Sequence, residues 1–280
     1  MNRQTNQQET NQTKISCTAK PSKKYKGRTK TKLSIILLIL LIISMISATL
    51  AWFTISEFSS VNNMNISIGS GVQLFISGQD HGSDTSLYSK ELTNEDINAQ
   101  LDEGMTLEDL LMFPVTSSDG VNMYTQSGTL KDANNDSYLE FTTYLMSTEA
   151  MWVHLTSNDT ESGADNGTRV ATSDTGVKAD IVKCTRVSFT DVESGKTVIY
   201  EPNKVNGSEV AGQTTFDLPT PMNLSNNTRV CYLEKLTPKK VVIRIWVEGE
   251  DPECDDDVQL TNLQVRLNFQ GTDENNVPVN

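Results

Sequence analysis

The chain has 280 residues, with 23 Lys and Arg against 36 Asp and Glu and a formal net charge of −13. The charge is unevenly divided, because nine of the basic residues but only one of the acidic ones precede Leu33. Everything after Lys32 is strongly acidic, which repels nucleic acid and anionic lipid and excludes DNA or RNA binding by that part. It is long enough to bury a real core.

Residues 1–32 read as a basic leader, from Arg3 through Lys14, Lys20, Lys23, Lys24, Lys26, Arg28, Lys30 and Lys32. Leu33 to Phe53 is apolar apart from Ser34, Ser44, Ser47 and Thr49. As a helix it spans the roughly 30 Å hydrocarbon core of a bilayer. No Lys or Arg follows until Lys90. This asymmetry predicts a cytoplasmic N-terminus and places residues 54–280 outside the membrane. Thr49 and Ala51, on either side of Leu50, provide small residues for a signal peptidase to cut before Trp52. Signal peptides and anchors share this layout. Release of the chain from Trp52 onward and retention of a single-pass anchor in the membrane through Leu33 to Phe53 therefore both stand open.

Beyond the apolar run the pattern is strand after strand. Ile66 to Ile68 and Val72 to Ile76 predict a first strand pair around Gly69-Ser70-Gly71. Thr106 to Met112 is the one predicted helix outside the membrane, with Thr106 as cap, Glu108 and Asp109 in the first turn and Pro114 as terminator. Val115 to Gly120 reads as a loop. Tyr138 to Met146 and Met151 to Leu155 predict a hairpin. Ile181 to Phe189 and Thr197 to Tyr200 predict another around Glu193-Ser194-Gly195. Val241 to Val247 reads as a strand buried on both faces, whereas Leu263, Val265, Leu267 and Phe269 alternate with polar residues. These last two are expected to pair through the acidic connection Glu248 to Gln259. The fold class predicted is mainly β, an antiparallel β-sandwich of jelly-roll type preceded by one N-terminal apolar helix.

Residues that could carry chemistry are few. Cys184, Cys231 and Cys254 fall in the exterior part, where one disulfide can form and one thiol is left over, and spacing does not choose the pair. Asp251, Glu253, Asp255, Asp256 and Asp257 crowd one turn, so calcium is a ligand to test, although no calcium-loop spacing fits and a solvated turn is the simpler reading. Asp132, Asn134 and Asp136 imitate the start of an EF-hand loop, but Ser137 replaces its Gly and Thr143 its Glu. His154 reads as a packed histidine, His81 as part of a solvated loop with Asp80 and Asp84, and Trp246 as a core residue before a glycan-stacking one. No nucleophile, base or metal set is apparent, so no catalytic residue is predicted.

Three phrases carry a resemblance: Ala48-Thr49-Leu50-Ala51-Trp52-Phe53-Thr54, Val115-Thr116-Ser117-Ser118-Asp119-Gly120, and Arg244-Ile245-Trp246-Val247-Glu248-Gly249-Glu250-Asp251-Pro252-Glu253-Cys254. The chain resembles Gram-positive surface proteins exported on SipW-type signal peptides, a group related in general form to camelysin and the TasA biofilm-fibre proteins. The resemblance implies an extracellular jelly-roll domain, a dedicated signal peptidase and, in fibre-forming members, assembly by strand exchange. Camelysin is described as a metalloprotease, but here His81 is followed by Gly82 and His154 by Leu155, so His-Glu-x-x-His is absent. The expectation is a non-enzymatic cell-surface or matrix protein without a required cofactor. A self-assembling fibre subunit and a calcium- or glycan-binding adhesin are the alternatives.

Overall fold

The computed structural model describes residues 59–68, 74–155, 168–202, 213–214, 216–217, 224–254, 258 and 262–279. The chain divides into units 1–54 and 55–280, and every described residue belongs to the second. The apolar segment 33–53, the cleavage residues Thr49, Ala51 and Trp52, and Asp255, Asp256 and Asp257 lie outside the described residues. Among those described, no helix is long and apolar enough to cross a membrane.

The strands are β1 (Ser59–Ile68), β2 (Leu74–Ser77), β3 (Glu91–Leu92), β4 (Leu111–Met112), β5 (Tyr138–Ser147), β6 (Met151–Leu155), β7 (Arg169–Thr172), β8 (Thr185–Asp191), β9 (Thr197–Pro202), β10 (Gln213–Thr214), β11 (Phe216–Asp217), β12 (Cys231–Leu233), β13 (Lys239–Val247) and β14 (Asn262–Thr272). Among the described residues two short α-helices, α1 (Asn94–Asn98) and α2 (Ile181–Cys184), and three 3-10 turns interrupt them. The first sheet runs β10-β7-β14-β1-β3, with β4 also on β1 and with β6 pairing both β14 and β12. The second runs β11-β9-β8-β13-β5-β2. Pairing is antiparallel throughout except between β1 and β14, which run parallel.

Alternation determines which side of each strand is buried. Leu263, Val265, Leu267 and Phe269 of β14 and Val241, Ile243, Ile245 and Val247 of β13 point into one core shared by both sheets. Phe189 of β8 meets Phe269 edge-on at 5.7 Å and Tyr200 of β9 at 5.5 Å, so aromatic rings bridge the sandwich-like interior. Burying each such ring contributes about 2–3 kcal/mol.

The mainly β expectation matches the structure, and β8 and β9 form the predicted hairpin. Three expected pairings are corrected. β1 and β2 belong to different sheets, as do β5 and β6, and β13 pairs with β5 and β8 instead of β14. The physical reason is common to all three: periodicity marks which face of a strand is apolar and leaves open which strand lies beside it. In each case the next strand in sequence therefore lies in the other sheet. The expectation of an antiparallel sandwich is also corrected at β1–β14, where the N-terminal strand of the described region lies parallel to the last.

The predicted helix at Thr106 to Met112 is a single turn. Asp109 Oδ2 accepts from the Thr106 N–H at 3.1 Å and from the Thr106 hydroxyl at 2.8 Å, and Asp109 N–H donates to Thr106 O at 3.0 Å, but Leu111 and Met112 leave as β4. One turn fixes many dihedrals for little hydrogen bonding, and the sheet edge competes successfully. Helix α1 forms instead, closed by a reciprocal capping box between Thr93 and Asp96, with Ile97 buried beneath it. Ile181 to Cys184, read as the start of a strand, is α2.

Candidate functional site

Strand β13 is buried on both faces because a loop layer covers the outer side of the second sheet. Trp246 is 1 % exposed there and packs with Val115, Met123 and Tyr138 in a second, smaller core supported by Ala133 and Ile199. Residues 113–137 form the cover. It is tied to the sheet by Val115 N–H donating to Val247 O at 3.0 Å and Gly249 N–H donating to Val115 O at 2.9 Å. Two of the phrases singled out in the sequence, Val115 to Gly120 and Arg244 to Cys254, are thus one structural unit.

Gly120 explains part of the close fit. Its φ is +67°, a left-handed conformation that side chains disfavour, and a Cβ there would lie 2.8 Å from both Ser188 Cβ and Ile199 Cγ1. The Ser188 hydroxyl donates to Gly120 O at 2.5 Å. Beside it, partial burial pushes the Asp119 carboxyl up, but hydrogen bonds from the Asn122 and Val121 N–H groups, the Asn122 amide and the Ser117 hydroxyl outweigh this and bring it down to about 2.

An open cleft of about 410 Å³ lies at this end of the sheet, walled by Thr116, Ser117, Ser118, Arg186, Ile199, Glu201, Trp246, Glu248, Glu250 and Asp251. Glu248 connects its walls. Oε2 accepts from Trp246 Nε1 at 3.0 Å and from Ser117 N–H at 3.4 Å, and Oε1 accepts from Glu250 N–H at 3.3 Å. A carboxylate so engaged holds loop and strand together. Behind it Arg186 and Asp251 form a buried ion pair, with side chains 8 % and 2 % exposed. Arg186 Nη1 also donates to Lys183 O at 2.8 Å. With Asp251 neutralising Arg186, Glu201, Glu248 and Glu250 give the cleft a negative character suited to polar neutral or cationic groups.

The acidic turn is divided by these contacts. Asp251 Oδ1 accepts from Glu253 N–H at 3.2 Å while Oδ2 holds Arg186, so Asp251 is committed to the fold. No group of three potential metal-ligating side chains occurs among the described residues. Asn134, in the EF-hand-like stretch, instead joins strand β5 by accepting from Glu140 N–H and donating to Glu140 O, both at 2.7 Å.

The histidines lie elsewhere. His154 is fully buried, its Nδ1 3.1 Å from Thr228 Oγ1, and its Nε2 lacks a partner among the described residues. Burial, aided by the Arg229 and Lys196 cations, lowers its pKa to about 4. His81 stands edge-on to Tyr88 at 5.4 Å in its loop. Trp152 and Tyr232 lie 4.9 Å apart on β6 and β12, with Arg229 4.3 Å over the Trp152 ring.

Sequence reasoning missed Arg186, Glu201 and Glu248. A charge inside the apolar run Ile181 to Phe189 was the available signal for Arg186, since a buried cation demands a partner. The chain is defined structurally as a two-sheet, mainly β protein with a loop-covered outer face. No known protein family, curated protein or solved structure matches it.

Proposed function

We propose that this chain is a non-enzymatic exported cell-surface or matrix protein of a Gram-positive bacterium, with its two sheets arranged as a jelly roll. The observation that carries the reading is the succession of a basic leader, the apolar run 33–53 and an acidic two-sheet unit. A soluble intracellular protein has no use for that succession, whereas it routes a β domain across a membrane. Intact-mass analysis of membrane, wall and medium fractions from the native host tests it. A mass beginning at Trp52 in wall or medium, or the full chain in the membrane with residues 54–280 open to external protease, supports export; a full-length chain in the cytosol overturns it.

A fibre subunit is the second reading, favoured by β1. This N-terminal strand pairs in parallel with β14 from Ser60↔Asn262 to Ile68↔Phe269 and buries Val61, Met64 and Ile66. The same hydrogen bonds and pockets would accept β1 of another copy, the geometry of strand exchange. Sedimentation of the form beginning at Trp52 tests this: concentration-dependent high-mass species support it, and a strictly monomeric chain sinks it.

A further inference from the structure

Two of the three cysteines in the second unit are brought together by structures distant in sequence. Cys184 closes α2 just before β8, and its carbonyl accepts from Glu248 N–H at 2.8 Å, continuing the β8–β13 ladder by one step. From Glu248 the chain makes two successive turns, Asp251 N–H donating to Glu248 O at 3.2 Å and Cys254 N–H to Asp251 O at 2.9 Å. The Arg186–Asp251 ion pair presses the second turn against the start of β8. Cys254 then packs on the core cluster containing Cys184, its thiol close enough to act on the Cys184 thiol, while Cys184 Sγ donates to Asp180 O at 3.4 Å. Cys231, on β12, is buried against β6 instead.

We propose that Cys184 and Cys254 are a disulfide-forming pair, which on oxidation ties the acidic turn after β13 to the start of β8 and braces the wall of the cleft. Both are free thiols in this structure, Cys184 buried and Cys254 partly exposed. That difference sets the order of reaction. Cys254 is the more accessible of the two, and the neighbouring Cys254 thiol, and then burial, push the Cys184 thiol up, so Cys254 is the first nucleophile. Its thiolate attacks a small-molecule disulfide and forms a mixed disulfide, releasing one small thiolate. Cys184 then loses its proton and attacks the Cys254 sulfur, releasing the second. The protein loses two electrons and two protons, and the small disulfide becomes two thiols. The bond closes a loop of about 70 residues, long enough for a large effect on the unfolded chain. The pairing rests on fold geometry and is independent of the export proposal.

The test uses the full chain in mild detergent, reduced and then treated with oxidised glutathione, capped with N-ethylmaleimide and digested without reduction. The expected product is a Cys184–Cys254 linked peptide, with Cys231 labelled only after denaturation. Reduction of the oxidised chain should lower the thermal midpoint by roughly 5–15 °C. Cys254→Ser should abolish that shift and Cys231→Ser should keep it. Free Cys184 and Cys254 after oxidation, a link to Cys231 or to Cys17, the fourth cysteine, in the basic leader, a glutathione adduct that Cys184 fails to displace, or an unchanged midpoint on reduction would each overturn the proposal.

Discussion

The two faces of the second sheet are buried by different means. The inner face meets the first sheet through alternating aliphatic and aromatic side chains, Val241, Ile243 and Ile245 against Leu267 and Phe269. The outer face is covered by residues 113–137 through one tryptophan, a left-handed glycine, the Glu248 carboxylate and the Arg186–Asp251 pair nearby. Non-directional burial tolerates exchange of shapes, whereas a cover held by a few directional contacts fails at single atoms. The outer layer should therefore be the more locally unstable part.

The largest expected effect breaks the inner face. Phe269→Ala removes a fully buried ring shared by both sheets and should cost about 4 kcal/mol, seen as a lowered urea midpoint with loss of amide protection in both sheets together. On the other side, Asp251→Asn leaves the Arg186 guanidinium buried without a counter-charge, at a cost of about 3 kcal/mol under reducing conditions. Arg186→Met combined with Asp251→Leu should recover most of that loss, because the charge to be compensated is gone as well. If the double variant is no better than the single one, the pair has a role that apolar packing does not replace.

Gly120→Ala is the local test. A methyl group 2.8 Å from Ser188 and Ile199, on a backbone with φ +67°, should cost about 2–3 kcal/mol. Hydrogen exchange should show faster exchange in residues 121–131 while β5, β8 and β13 keep their protection. Uniform loss across the sheet would mean that the cover and the sandwich unfold as one unit.

The smallest effect sharpens the comparison through pH. His154 is held neutral in the fold, at about 4, against its usual 6.5. The unfolded chain therefore binds the extra proton between these values. The contribution is fully present above about pH 6.5 and is lost as pH falls toward 4, amounting to about 1–2 kcal/mol between pH 7 and 5. His154→Asn should reduce this part of the pH dependence, measured as the difference in urea midpoint between pH 7 and 5. An equal slope in both proteins would place the titration elsewhere.

Much of the strand inventory was legible because alternation is local. Val241 to Val247 and Leu263 to Phe269 reveal their buried faces without reference to any partner, and Glu193-Ser194-Gly195 reveals a turn between adjacent strands. The cleft was less legible. Trp246 and the acidic turn drew notice, but Glu248 became a clamp only when Val115 to Ser117 was laid beside β13, well over a hundred residues away in sequence.

By itself the sequence determined the charge asymmetry around the apolar run, the mainly β character and the burial of most strand faces, because each depends on composition or on neighbours within a few residues. The tertiary structure decided that three expected pairs would separate between sheets, that β1 would lie parallel to β14, and that Cys184 would meet Cys254. Those outcomes depend on which surfaces come together after long loops close, and the energy of such closures lies in contacts between segments that no local pattern specifies.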